Sequence, residues 1–222
     1  MKKALSILIA MGLTLSLAAC GQNSGGGSSA DSSGTSTEGT AESFVPSNIP
    51  GSAPNAQNTD GAADGKVLVA YFSWSGNTQE MAAYIADQTG GDLLEIQPET
   101  PYPTDYNDCG EVALAERDNN ERPAIANLPE SIDEYDTILI GYPIWWHTAP
   151  MIIGTFLESY DLIGKEIYPF TQSASMDTEQ FGNSIAFVRE NADGASVDDG
   201  LFARPSDTQT IDAYLAENNL VQ

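Results

Sequence analysis

Lys66-Val-Leu-Val-Ala-Tyr-Phe72 runs straight into Ser73-Trp74-Ser75-Gly76-Asn77-Thr78. The first seven residues form a near-continuous apolar run, as expected of a strand covered on both faces. From Thr78 to Thr89 the pattern changes, with Met81, Tyr84, Ile85 and Gln88 at helical spacing and Gly90-Gly91 as the stop. The same alternation continues outward. Asp92 to Gln97 reads as a second strand ended by Pro98, and Asp108 to Asn119 as a polar helix. Thr137 to Tyr142 reads as a third buried strand, followed by a helix opening at Pro150 with Ile152, Ile153, Phe156, Leu157 and Tyr160 as its stripe. Glu166 to Thr171 and Glu179 to Glu190 repeat the strand and helix, and Ser196 to Ala203 is a weak fifth strand. The last helix takes Ser206 or Asp207 as its N-cap and turns Ile211, Tyr214 and Leu215 inward. Regular alternation of this kind predicts an α/β domain with a five-stranded parallel sheet and helices on both faces.

Such sheets bind ligands beyond the carboxyl ends of their strands. Three post-strand segments therefore carry the functional reading. Ser73 to Thr78 offers three hydroxyls, one amide, a glycine and the N–H groups of a helix N-terminus, with no cation among them. That is an anion site made of dipoles. It lacks the Gly-Lys-Ser/Thr ending of a nucleotide P-loop and the G-x-G-x-x-G of a dinucleotide site, so a small terminal phosphomonoester fits it better. Pro143-Ile144-Trp145-Trp146-His147 follows the third strand. Large aromatics there either pack on the core or stack on a flat ligand, and one tryptophan of the pair is expected to do each. Thr171-Gln172-Ser173 leads the segment after the fourth strand. His147, the single histidine, is either a loop residue bonded to backbone or a proton donor or charge partner beside the flat ligand.

These three segments, in this order, resemble the ligand loops of flavodoxins. Ser73, Ser75, Gly76, Asn77 and Thr78 match the phosphate loop position by position, with Trp74 in its variable slot. Pro143, Ile144, Trp145, Trp146, His147 and the downstream Pro150 look like the first flavin-ring loop of lipoprotein-type and clostridial flavodoxin-like domains. Thr171, Gln172 and Ser173 fall where the second ring loop supplies backbone hydrogen bonds. Many relatives have a Gly-rich sequence there; this chain has Gln172, Ala174 and Met176. The resemblance implies a flavodoxin-like three-layer sandwich over residues 66–222, with FMN as cofactor, acting in electron transfer or as an FMN-dependent reductase of quinones or other small acceptors. A flavodoxin-fold binding module without cofactor is the other class. A serine hydrolase using Ser75 or Ser73 with His147 fits poorly, since G-x-S-x-G fails at Ser73 and at Asn77.

Composition bounds the partners. The 222 residues carry 32 acidic and 8 basic side chains, a net charge of −24. That excludes a nucleic-acid binder, which needs a basic face. Residues 66–222 hold 27 of the acidic and 6 of the basic groups, or −21. Such a sheath disfavours negative charge on a reduced flavin ring, which predicts a low potential for the last electron. It also steers the domain toward a redox partner with a basic face. Two cysteines make no disulfide framework; Cys109 reads as a small core residue.

The N-terminal part reads as address and tether. Lys2 and Lys3 precede the apolar run Ala4 to Ala19, too short for a permanent span and suited to an export signal over residues 1–19. Leu17-Ala18-Ala19-Cys20 resembles a bacterial lipobox, which implies cleavage before Cys20 and lipidation of its sulfur. Residues 20–65 then form a Gly/Ser-rich tether with a random-coil reach of about 35–40 Å. The expected location is extracytoplasmic, with the lipid anchor in the membrane.

Overall fold

The computed structural model describes residues 65–222. The export signal at residues 1–19, the lipidation site at Cys20 and all but the last residue of the tether lie outside the described residues.

Strands β1 (Lys66–Tyr71), β2 (Asp92–Glu95), β3 (Tyr135–Pro143), β4 (Glu166–Gln172) and β5 (Ser196–Val197) form a parallel sheet in the order β2-β1-β3-β4-β5. Between them run α1 (Asn77–Thr89), α2 (Tyr106–Asn119), α3 (Met151–Glu158) and α4 (Thr178–Asn191), and α5 (Thr208–Glu217) ends the fold. Successive strand side chains face opposite ways, and the two cores follow that rule. Leu68, Ala70, Phe72, Ile138, Ile140 and Tyr142 pack with Ile152, Ile153 and Phe156 of α3 and Val188 of α4. Val69, Tyr71, Leu139 and Phe170 pack with Met81 and Ile85 of α1 and Ile211 and Leu215 of α5. The expected α/β sandwich with helices on both faces is thus present.

The fifth strand differs from the expected single run, Ser196 to Ala203. It is broken into β5, which pairs with the start of β4, and β6 (Leu201–Phe202), which pairs with its end. Asp198-Asp199-Gly200 makes the break: the Asp198 carboxylate accepts from the Gly200 N–H at 2.8 Å, and Gly200 has φ +83°. Local turn chemistry outcompetes the ladder there. Two helix starts also differ. Asp105 caps α2 by accepting from the N–H groups of Asn107 and Asp108, so the helix begins at Tyr106. Pro150 is the N-cap of α3 rather than its first residue, and Tyr160 falls beyond the helix, its hydroxyl donating to the Pro129 carbonyl at 2.8 Å. At the far end of the sheet, the buried Lys165 ammonium donates to the carbonyls of Ile132, Asp133 and Tyr135, which ties the approach to β3 against β4.

Gly141 stands in register with Phe170 across β3 and β4. A Cβ at 141 would lie 2.2 Å from the Phe170 ring, so the ring fills the place of the missing side chain. Gly141→Ala is therefore expected to destabilise the domain by about 1–3 kcal/mol through overpacking. The check is a lower urea midpoint at unchanged slope; an unmoved midpoint would show that Phe170 yields freely.

Candidate functional site

The parallel ladder ends at Phe72, Pro143 and Gln172, so three loops leave the sheet at one edge. In the first, Ser73 Oγ accepts from the Gly76 N–H at 3.1 Å and closes the turn. Gly76 has φ +89°, a left-handed conformation that glycine adopts without penalty. Helix α1 starts there with no side-chain cap, whereas Asp105, Asp177 and Asp207 cap α2, α4 and α5. The first bond into the helix runs from the Glu80 N–H to the Gly76 carbonyl. The N–H groups of Asn77, Thr78 and Gln79 have no acceptor among the described residues. Ser75, Gly76 and Asn77 are exposed; the Thr78 side chain is buried. Free N–H groups at an exposed, dipole-positive helix end fit an anion.

In the second loop Trp145 and Thr148 exchange both backbone hydrogen bonds at 3.0 Å. The two residues between them, Trp146 (φ +45°) and His147 (φ +68°), are both left-handed. Two-residue turns of this hand are usually built from Asn-Gly, so Trp-His is a strained choice. Trp145 packs inward: its ring meets Phe72 edge-on at 5.3 Å and Tyr102 at 5.1 Å. Trp146 is 44% exposed. Its indole N–H donates to the Gly110 carbonyl of α2 at 2.8 Å, and the Arg117 guanidinium lies over the ring at 5.8 Å while donating to the Trp146 carbonyl at 3.1 Å. One tryptophan thus caps the core, as expected of one of the pair, and the other stands at the surface. His147 is exposed and makes no hydrogen bond among the described residues, so the first of its two readings, a bond to backbone, is not met.

In the third loop the Thr171 hydroxyl is buried and donates to the Tyr142 carbonyl. The Gln172 carbonyl accepts from the Ile144 N–H at 3.3 Å and binds the loops after β3 and β4 together. Ser173 Oγ accepts from the Met176 N–H at 3.1 Å and lies 3.4 Å from Ser175 Oγ. The N–H groups of Ala174 and Ser175 have no acceptor among the described residues.

Between these loops lies a cleft of about 530 Å³. Trp74, Ile144, Trp145, Trp146, His147 and Ser173 line it, together with Ala174 and Ser175. Trp74 also joins it to the anion loop, with its indole N–H anchored on the Pro103 carbonyl at 2.9 Å. Ser73, Ser75, Gly76, Asn77 and Thr78 sit outside the cleft in the adjoining turn, and Pro143, Thr171 and Gln172 lie buried beneath it. The third wall was not foreseen: it is the first half of α2, with Tyr106, Asn107, Gly110 and Glu111. The usable signal was Asp105, a capping residue three positions before the expected polar run. Gly110 costs about 1 kcal/mol inside a helix relative to Ala. A Cβ there would meet no protein atom within 4 Å, so packing within the chain does not require it. A ligand pressed against the α2 backbone would. The free N–H groups, the exposed indole and this cradle fit a flat ring bearing a phosphate.

Residues 66–215 match the model of the flavodoxin family. The chain belongs to that family. A candidate flavoprotein from Bacteroides eggerthii is 36% identical, covering 69% of this chain and 98% of its own, with a TM-score of 0.62. A second, from Bacteroides uniformis, is 35% identical over 68% of this chain and 98% of its own, with a TM-score of 0.61. A Lactobacillus acidophilus flavoprotein solved in complex with FMN is 28% identical, covers 65% of this chain and 97% of its own, and has a TM-score of 0.54. No curated protein matches the chain.

The strain in the Trp146–His147 turn of this flavodoxin-family domain is open to measurement. His147→Gly is expected to raise the stability of the ligand-free domain by about 1 kcal/mol, because glycine takes the left-handed conformation freely. Chemical denaturation reads it, and an unchanged or lower midpoint would mean that the turn stores no strain.

Proposed function

We propose that this chain binds FMN and works as a redox protein, moving electrons at the outer face of the cytoplasmic membrane, where lipidated Cys20 holds it on the tether of residues 21–65. The carrying observation is the meeting of two unlike surfaces at one sheet edge. The uncapped α1 N-terminus suits a phosphomonoester, and the indole-walled cleft beside it suits a tricyclic ring. The FMN complex of the Lactobacillus acidophilus relative supports the same cofactor here. When bound, FMN supplies one- and two-electron transfer.

The chain's own residues bind and orient it. Ser75, Gly76 and the first N–H groups of α1 take the phosphate without a cation, so the site selects a monoester over a triphosphate. Trp145, backed by Phe72 and Tyr102, is a rigid wall, and Trp146 is held in place by α2. The free N–H groups of Ala174 and Ser175 serve the ring edge. His147, exposed on the rim and unbonded, has the freedom to hand over a proton there. The acidic surface of the domain directs it to a basic partner, at rates that fall as salt rises. A second reading, reduction of a small flat acceptor, is favoured by the extension of the cleft along α2 past the ring loops to Tyr106 and Asn107. Hydrolysis is not favoured: the Ser73 hydroxyl is used in its own turn, and no hydrogen bond joins His147 to either serine.

The test compares FMN with riboflavin, which lacks the phosphate. The purified protein is expected to be yellow and to prefer FMN. Ser75→Asp should weaken FMN by about tenfold or more through charge repulsion while leaving riboflavin affinity unchanged. A colourless protein that refuses FMN, or a variant that loses both ligands equally, would overturn the reading.

A further inference from the structure

Behind the cleft wall lies a carboxyl group that none of the binding contacts uses. Glu116 of α2 is 7% exposed. Its Oε2 accepts from the Tyr102 hydroxyl at 2.8 Å. The Tyr102 ring stands edge-on to Trp145 at 5.1 Å and 83°, and 5.5 Å from Phe72. Trp145 lines the cleft, and Phe72 leads into the anion loop. A single tyrosine therefore connects a buried carboxyl to the indole wall of the site.

Among the described residues no cation pairs with this carboxyl. The titratable groups that face it are Tyr102 from the loop before α2, Cys109 two turns earlier on α2, and Glu121 from the loop after it. The arginines nearby in sequence are engaged elsewhere: Arg117 with Asp118 and the Trp146 carbonyl, Arg122 with Glu158. Burial pushes the Glu116 carboxyl above the usual carboxylate range; the Tyr102 hydroxyl pulls it down, and Glu121 adds to the rise. A buried carboxylate without a cation is poorly screened, so negative charge arriving beyond Trp145 makes its ionised form still more costly.

We propose that Glu116 is the charge-compensating residue of the cleft: it takes up a proton when negative charge enters on the far side of Trp145, and releases it when that charge leaves. The inference rests on the FMN reading. With FMN bound, a reductant would supply the electrons, and the balancing proton would pass from solvent to the Glu116 carboxylate, giving the neutral acid. Linkage makes the effect reciprocal, so protonating Glu116 makes the cleft more tolerant of negative charge. The sign follows. The group is ionised only above its raised titration range, and charge in the cleft raises that range further. The midpoint potential therefore climbs as pH falls through it. Tyr102 transmits the change, because its hydrogen bond to the carboxylate is charge-assisted and its bond to the neutral acid is not.

Potentiometric titration of the FMN-loaded protein with dithionite, from mildly acidic to mildly alkaline pH, tests this. Wild type is expected to show an inflection in potential against pH that Glu116→Gln abolishes. At neutral pH Glu116→Gln should favour reduced flavin by about tenfold, which is about 59 mV for a one-electron step. Tyr102→Phe keeps the carboxyl and removes its hydrogen bond, so its inflection should persist at higher pH. Carboxyl carbon NMR of Glu116 in the FMN-free protein gives a readout without flavin, and should show a titration above the ordinary range. A wild-type protein that takes no FMN overturns the functional reading and the proposal together. A protein that takes FMN, but whose inflection survives Glu116→Gln unchanged, overturns the proposal alone.

Discussion

The parallel ladder through β1, β3 and β4 is the constraint on which the rest depends. These strands are covered on both faces, so water cannot satisfy their backbone groups and each must bond to its neighbours. That locks their register, and parallel strands in register end together. The loops after β1, β3 and β4 therefore emerge at one edge without any contact among the loops having to bring them there. The close approach of Phe170 to Gly141 is part of the same lock, since a side chain at 141 would push β4 away from β3.

The segment before α2 then organises the mouth. Within four residues, Tyr102 packs on Trp145, the Pro103 carbonyl holds the Trp74 indole, and Asp105 caps α2. Helix α2 in turn holds Trp146 through Gly110 and Arg117. These contacts offset the left-handed strain at Trp146 and His147, and they fix the aromatic walls in advance. A flat ligand entering such a cleft loses little freedom to side-chain rearrangement, which is the advantage of a preorganised site.

Much of this was legible in the chain. The alternation of apolar runs with helical spacing placed the five main strands and five helices of the described residues. Asp207 was among the two caps foreseen for α5, and it accepts from the Thr210 N–H. The break between β5 and β6 was missed because Asp198 and Gly200, inside the run Ser196 to Ala203, form a turn of their own. The start of α2 was missed because the polar run after Asp105 carries little amphipathic signal, and the cap rather than the pattern decides where it begins. The turn from Ser73 to Thr78 was recognisable because its signals are local: hydroxyls, a left-handed glycine and a helix start within six residues.

The division follows from the range of the forces. Strand and helix periods, turn residues and caps act over a few positions, so the α/β alternation, the anion loop and the presence of aromatics at the mouth could be read from the chain. Which tryptophan turns inward depends on Tyr102 and Phe72, residues from other loops. The Trp146 indole finds its acceptor 36 positions away, and the Trp74 indole finds its own 29 positions away. Glu116 looks like any exposed helix carboxylate until folding buries it beneath Tyr102. No local period encodes such meetings, because they arise only when the shared ladder brings distant segments to the same edge.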